Sequence, residues 1–77
     1  MLKDMLLRGE NAKEGFNANL AALGGISANE AALVVDIYFK LNIASIDYGI
    51  GTVKIKHNSF YDRDTIRSAL NIAQKAA

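Results

Sequence analysis

GGISANEAALVVDIYFKLN, residues 24–42, is the stretch whose reading decides the fold of this chain. A glycine pair at 24–25 stops whatever helix precedes it, because glycine accepts the left-handed conformation that closes a helix C-terminus. Ser27 or Asn29 can then cap a new helix, with Glu30 near its positive end. Ser27 followed three residues later by Glu30 is also the spacing of a capping box. The new helix runs to about Leu41, and its polar positions are few: Asn29, Glu30, Asp36 and Lys40. Ala31 to Val35, Ile37, Tyr38, Phe39 and Leu41 fill nearly everything else. A helix apolar around most of its circumference must be covered on several sides. It is therefore expected at the centre of the protein.

Upstream, there is no proline, so the glycines punctuate the chain. Leu2, Met5 and Leu6 stand at helical spacing and predict a short helix over 2–8, which Gly9 weakens. Ala12, Phe16, Leu20 and Leu23 predict a second amphipathic helix that Gly24-Gly25 terminates.

Downstream, Ile46 and Tyr48 alternate with Ser45 and Asp47, and Val53 and Ile55 alternate with Lys54 and Lys56. That period of two predicts two strands. Requiring one apolar face selects a register in which Tyr48 meets Val53, Ile46 meets Ile55, Asp47 meets Lys54 and Ser45 meets Lys56. The turn would centre on Ile50-Gly51, the glycine supplying positive φ. Ser59 to Asp62 then starts a last helix, whose Ile66, Ala69, Leu70 and Ala73 form an apolar stripe. The expected architecture is a single α+β domain over 1–77, in the order α-α-α-β-β-α, winged-helix-like, with the hairpin lying on the helices.

Composition narrows the function. The 77 residues are 51% hydrophobic and carry no cysteine, which excludes disulfides and any cysteine-built metal site. Nine basic and eight acidic residues leave a net charge of +1, not the basic footprint of a sequence-independent nucleic-acid binder. MLKDMLLRGE lacks the apolar run of a secretory signal, and no stretch reaches membrane-spanning length, so a cytoplasmic setting and no membrane partner are expected.

Candidate chemistry is sparse. Ala21, Gly25, Ile26, Ala31 and Val34 match helix-turn-helix spacing, and the hairpin would be the wing. A recognition helix presents basic or amide side chains to base edges, whereas here Glu30 and Asp36 would repel phosphates. Lone His57 has no partner for a metal or a nucleophile and reads as a half-buried edge residue. Asp62 and Asp64, two apart at a helix start, suit the helix dipole rather than paired acid–base chemistry. No phosphate-binding loop accompanies the glycines. No catalytic residue, cofactor or metal is therefore expected. Tyr48 and Phe60 read as core. Lys54 and Lys56, with Arg63 and Arg67, offer a modest basic surface or an ordinary solvated face. Tyr61 beside Arg63 and Arg67 has the composition of a protein-contact patch.

At VKIKHNSFYDRDTIRSALNIAQ, residues 53–74, the chain resembles short phage and prophage accessory proteins. In these a strand ending in lysine-histidine leads to an aromatic, an acidic cap and a final amphipathic helix. The resemblance spans roughly residues 30–74 and departs at Asn58, where such proteins often have glycine. It implies an accessory role in a mobile element, and for some members inhibition of CRISPR effector complexes by direct binding. The expected function is thus a non-enzymatic inhibitor that binds a host protein or ribonucleoprotein complex, with Lys54, Lys56, Tyr61, Arg63 and Arg67 as contact residues. A small winged-helix regulator that binds DNA is the alternative, and a homodimer that covers part of the central helix is a third arrangement.

Overall fold

A computed structural model describes residues 2–76, with side chains from residue 11 onward. The chain forms three α-helices and one antiparallel hairpin: α1 (Leu2–Gly24), α2 (Ala28–Lys40), β1 (Ala44–Asp47), β2 (Thr52–Ile55) and α3 (Arg63–Ala76), with a 3₁₀ turn at Asn58–Tyr61 before α3. It is a small α+β domain. The two helices expected before Gly24 are one continuous helix. An isolated glycine such as Gly9 costs only about 1 kcal/mol in a helix interior, too little to break one anchored by packing further along. The side chains expected to pack at positions 2, 5 and 6 lie outside the described residues.

The turn read from Gly24-Gly25 forms as its chemistry requires. Gly25 sits at φ +62°, and the Ile26 N–H reaches back to the Ala21 carbonyl at 3.0 Å, closing α1. Gly24 itself lies where α3 crosses, with room for nothing larger: a Cβ there would stand 2.7 Å from Ile66 Cγ2. Ser27 then caps α2 through a complete capping box, its Oγ accepting from Glu30 N–H and its own N–H donating to Glu30 Oε1. Those bonds hold the Glu30 carboxyl below its usual range, the Ser27 backbone N–H contributing most. At the other end Asn42, at φ +60°, closes α2: Asn42 N–H bonds to Phe39 O and Ile43 N–H to Tyr38 O. Asparagine here takes the place usually given to glycine.

The core joins Phe16 and Leu20 of α1, Ala31, Val34, Val35 and Tyr38 of α2, Ala44 of β1, and Ile66 and Leu70 of α3. Four of its nine members come from α2, so this helix is the central element. Its cover is incomplete, however, because Asn29, Ala32, Leu33, Asp36 and Lys40 form one exposed face. Leu23, expected on the buried stripe of α1, is also exposed. The last turn of α1 packs through Gly24 against Ile66 instead. Tyr38 is the most deeply placed polar side chain, and its hydroxyl donates to the Phe60 carbonyl at 2.8 Å. Burial pushes its pKa up to about 12.

The hairpin corrects the expected register by two residues. Ala44 pairs with Ile55, Ser45 with Lys54, Ile46 with Val53 and Asp47 with Thr52. A shift of two preserves facing, so Ile46 stays on the same face as Val53 and Ile55, which pack against the core. What moves is the loop. Tyr48 leaves the strand and joins Gly49, Ile50 and Gly51 in a four-residue connection, with Gly51 at φ +68° as the turn reading required.

A candidate interaction surface at the hairpin tip

Asp47 organises this connection. Its Oδ1 accepts from Gly49 N–H at 3.0 Å and Ile50 N–H at 3.4 Å, while its own carbonyl accepts from Gly51 N–H at 2.8 Å. An aspartate that bonds to backbone amides two and three residues on builds a turn without a two-residue hairpin. That local bonding outweighs the strand pairing Tyr48 would otherwise make with Val53. Its second oxygen meets Lys54 Nζ at 3.2 Å across the strands. The Lys54 hydrogen bond, with smaller help from Ile50 and Gly49 N–H, holds the carboxyl below its ordinary range against a partial desolvation cost.

The loop carries two large side chains outward. Ile50 is 70% exposed and Tyr48 is 38% exposed, whereas Tyr48 was expected in the core. Single exposed apolar residues are ordinary on protein surfaces. These two differ because the backbone around them is tied down by three N–H bonds to one residue, itself held by Lys54. The sequence does carry a signal for this: Asp47-Tyr48-Gly49-Ile50-Gly51 puts an aspartate two residues before a glycine and isolates one apolar residue between two glycines.

The five contact residues expected from sequence do not form one patch. Lys54 lies on the outer face of the hairpin, engaged with Asp47. Lys56, exposed, follows β2, its N–H bonded to Ile43 O. Tyr61 is half-buried, edge-on to Phe16 at a centroid distance of 6.1 Å, so it is largely a packing residue. Arg67 donates from Nη1 to the Gly24 carbonyl at 2.9 Å, and Arg63 lies beside Gly25. Both arginines therefore sit at the C-terminus of α1, where a cation complements the helix dipole and an orphan carbonyl. Lys54 reaches the tip through Asp47, whereas Lys56, bonded to Ile43, lies at the opposite end of the hairpin.

His57 is exposed rather than half-buried. Its Nδ1 accepts from Ser59 N–H at 3.1 Å and lies 2.9 Å from Ser59 Oγ, which starts the 3₁₀ turn. Among the described residues no group of three His, Asp or Glu side chains is placed to hold a metal ion. No single described helix is long and apolar enough to cross a membrane.

The fold and site thus define a small α+β domain with a braced, apolar-tipped hairpin. Comparisons with family models, with characterised proteins and with solved structures return no match for this chain.

Proposed function

We propose that this chain is a non-enzymatic protein-binding inhibitor that acts by occlusion, its hairpin tip seating Tyr48 and Ile50 in a recess of a host protein or ribonucleoprotein complex. The observation that carries this reading is the pairing of high exposure at Ile50 with a loop already fixed by Asp47. Binding costs free energy whenever a loop must be ordered at the interface, and a loop ordered beforehand avoids that cost. Tyrosine is also among the residues that dominate interface energetics. Lys54, beside the tip on the outer face, favours a partner surface with acidic or phosphate groups at its rim.

The resemblance to phage accessory proteins makes CRISPR effector complexes the first partners to try. Purified complexes incubated with the chain should lose target-DNA binding or cleavage in proportion to added protein. Undiminished cleavage with the chain in micromolar excess would exclude these partners.

A second reading, a small winged-helix regulator, draws on the 113° angle between the 11–24 part of α1 and α2. That angle suits a helix-turn-helix, whose helices meet at about 90–120°. The exposed face of α2 suits it less: Asn29, Ala32, Leu33, Asp36 and Lys40 sum to no charge and offer little to read base edges. A salt-sensitive gel shift that weakens on Lys54→Ala and Lys56→Ala would favour this reading over the first.

A further inference from the structure

A second apolar surface lies away from the tip, between α2 and α3. Ile37 and Leu41 form one wall, Ala69 and Ile72 the other, enclosing a groove of about 210 Å³. Leu41 and Ile72 are each 59% exposed on its rim. At 100° per residue, Asp64, Ser68, Ile72 and Lys75 fall within an arc of about 80° on α3, with Thr65 and Ala69 beside it. This strip holds three features. Ile72 is a projecting apolar side chain; Thr65, Ser68 and Ala69 are small enough to admit one; Asp64 and Lys75 place opposite charges at the two ends of α3.

Those features complement one another when the strip is turned through 180°. The midpoint of Asp64 and Lys75 falls between Ala69 and Leu70. A two-fold axis there lays α3 antiparallel on its copy, bringing Asp64 to the partner's Lys75 twice. The same operation brings each Ile72 level with position 67 of the other helix, between the small side chains at 65, 68 and 69 and over the groove. An isologous interface demands this kind of self-complementarity, in which one residue meets a second and the second meets the first. A net charge of only +1 opposes such an approach little.

We propose that the α2–α3 groove is covered by a second copy of this chain, in an antiparallel α3–α3 dimer with Ile72 at its centre and Asp64–Lys75 pairs at its ends. The tips are not part of this interface, so a dimer presents two of them, and the proposal stands independently of the partner the tips engage. Sedimentation velocity over a wide concentration range tests it directly. The full chain should show a monomer–dimer equilibrium, and Ile72→Asp should raise the dimer dissociation constant about tenfold or more. Ile72 is exposed in the monomer, so an unchanged circular dichroism spectrum should accompany that loss. Charge reversal adds a specific arm: Asp64→Lys and Lys75→Asp should each weaken the dimer, and the double variant should restore it. A chain that stays monomeric at every concentration overturns the proposal. So does a dimer indifferent to Ile72→Asp, or one in which the double reversal is weaker than either single one.

Discussion

Asp47 and Lys54 meet at 3.2 Å across the hairpin although neither is the other's partner in the strand register, which sets Asp47 opposite Thr52 and Lys54 opposite Ser45. The contact is diagonal, and it joins the brace of the loop to the outer face of β2. Its strength as an isolated ion pair is small, since exposed pairs contribute little. Its importance lies in holding the carboxylate that also carries Gly49 and Ile50.

Acid should therefore loosen the tip before it affects the helices. The Asp47 carboxyl is held below its unfolded value, so its contribution is present above that value, roughly 3.9, and is lost as pH falls through the folded one. Protection of the Gly49 and Ile50 amides, measured by NMR relative to unstructured peptide at the same pH, should hold at neutral pH and fall below about pH 4. Asp47→Ala should show the low protection at every pH while helix signals stay in place.

Tyr38→Phe should destabilise the domain by about 1–2 kcal/mol, because the half-buried Phe60 carbonyl loses its donor. The wild-type protein should also weaken in alkali. The Tyr38 pKa is raised from 10.0 to about 12, so its stabilisation is complete below the unfolded value and falls away as pH rises through the folded one. Thermal melts across that range should fall less steeply for the Phe variant.

The capping box offers a test of how α2 begins. Ser27→Ala removes the acceptor for Glu30 N–H and should cost about 1 kcal/mol. For a domain of this size that lowers the melting temperature by roughly 4–8 °C.

Two glycines in the same helix should respond oppositely to alanine. Gly15 has open space around its would-be Cβ, so Gly15→Ala should stabilise by about 0.5–1 kcal/mol through helix propensity. Gly24→Ala drives a methyl into Ile66 and should destabilise by about 1–3 kcal/mol. Equal responses would contradict the close crossing of α1 and α3.

The residues explain which parts of this structure were readable in advance. Gly25, Ser27 and Glu30 act through local chemistry, and each does what its position in the sequence indicates. The core facing of Ile46, Val53 and Ile55 was legible from alternation, because a slip of one residue would expose all three. Loop length was not, since a slip of two leaves that alternation intact. The outcome turned on Asp47 capping its own turn, and with it went the placement of Tyr48. Arg67 could not be read as a helix cap because its acceptor, Gly24 O, lies 43 residues away. His57 caps a 3₁₀ turn that no apolar period announces. Of the expected contact residues, Lys54 reaches the tip now proposed to bind, through Asp47, and Lys56 lies at the far end of the hairpin. Tyr61, Arg63 and Arg67 are engaged with α1.

A braced Tyr48–Ile50 tip is proposed to deliver this protein to its partner. Titration calorimetry of a purified CRISPR effector complex, with the wild-type chain and with Tyr48→Ala and Ile50→Ser, tests it most directly. Saturable binding by the wild type, weakened at least about tenfold by each substitution while the fold is retained, is the expected result. Binding that both substitutions leave unchanged would contradict it.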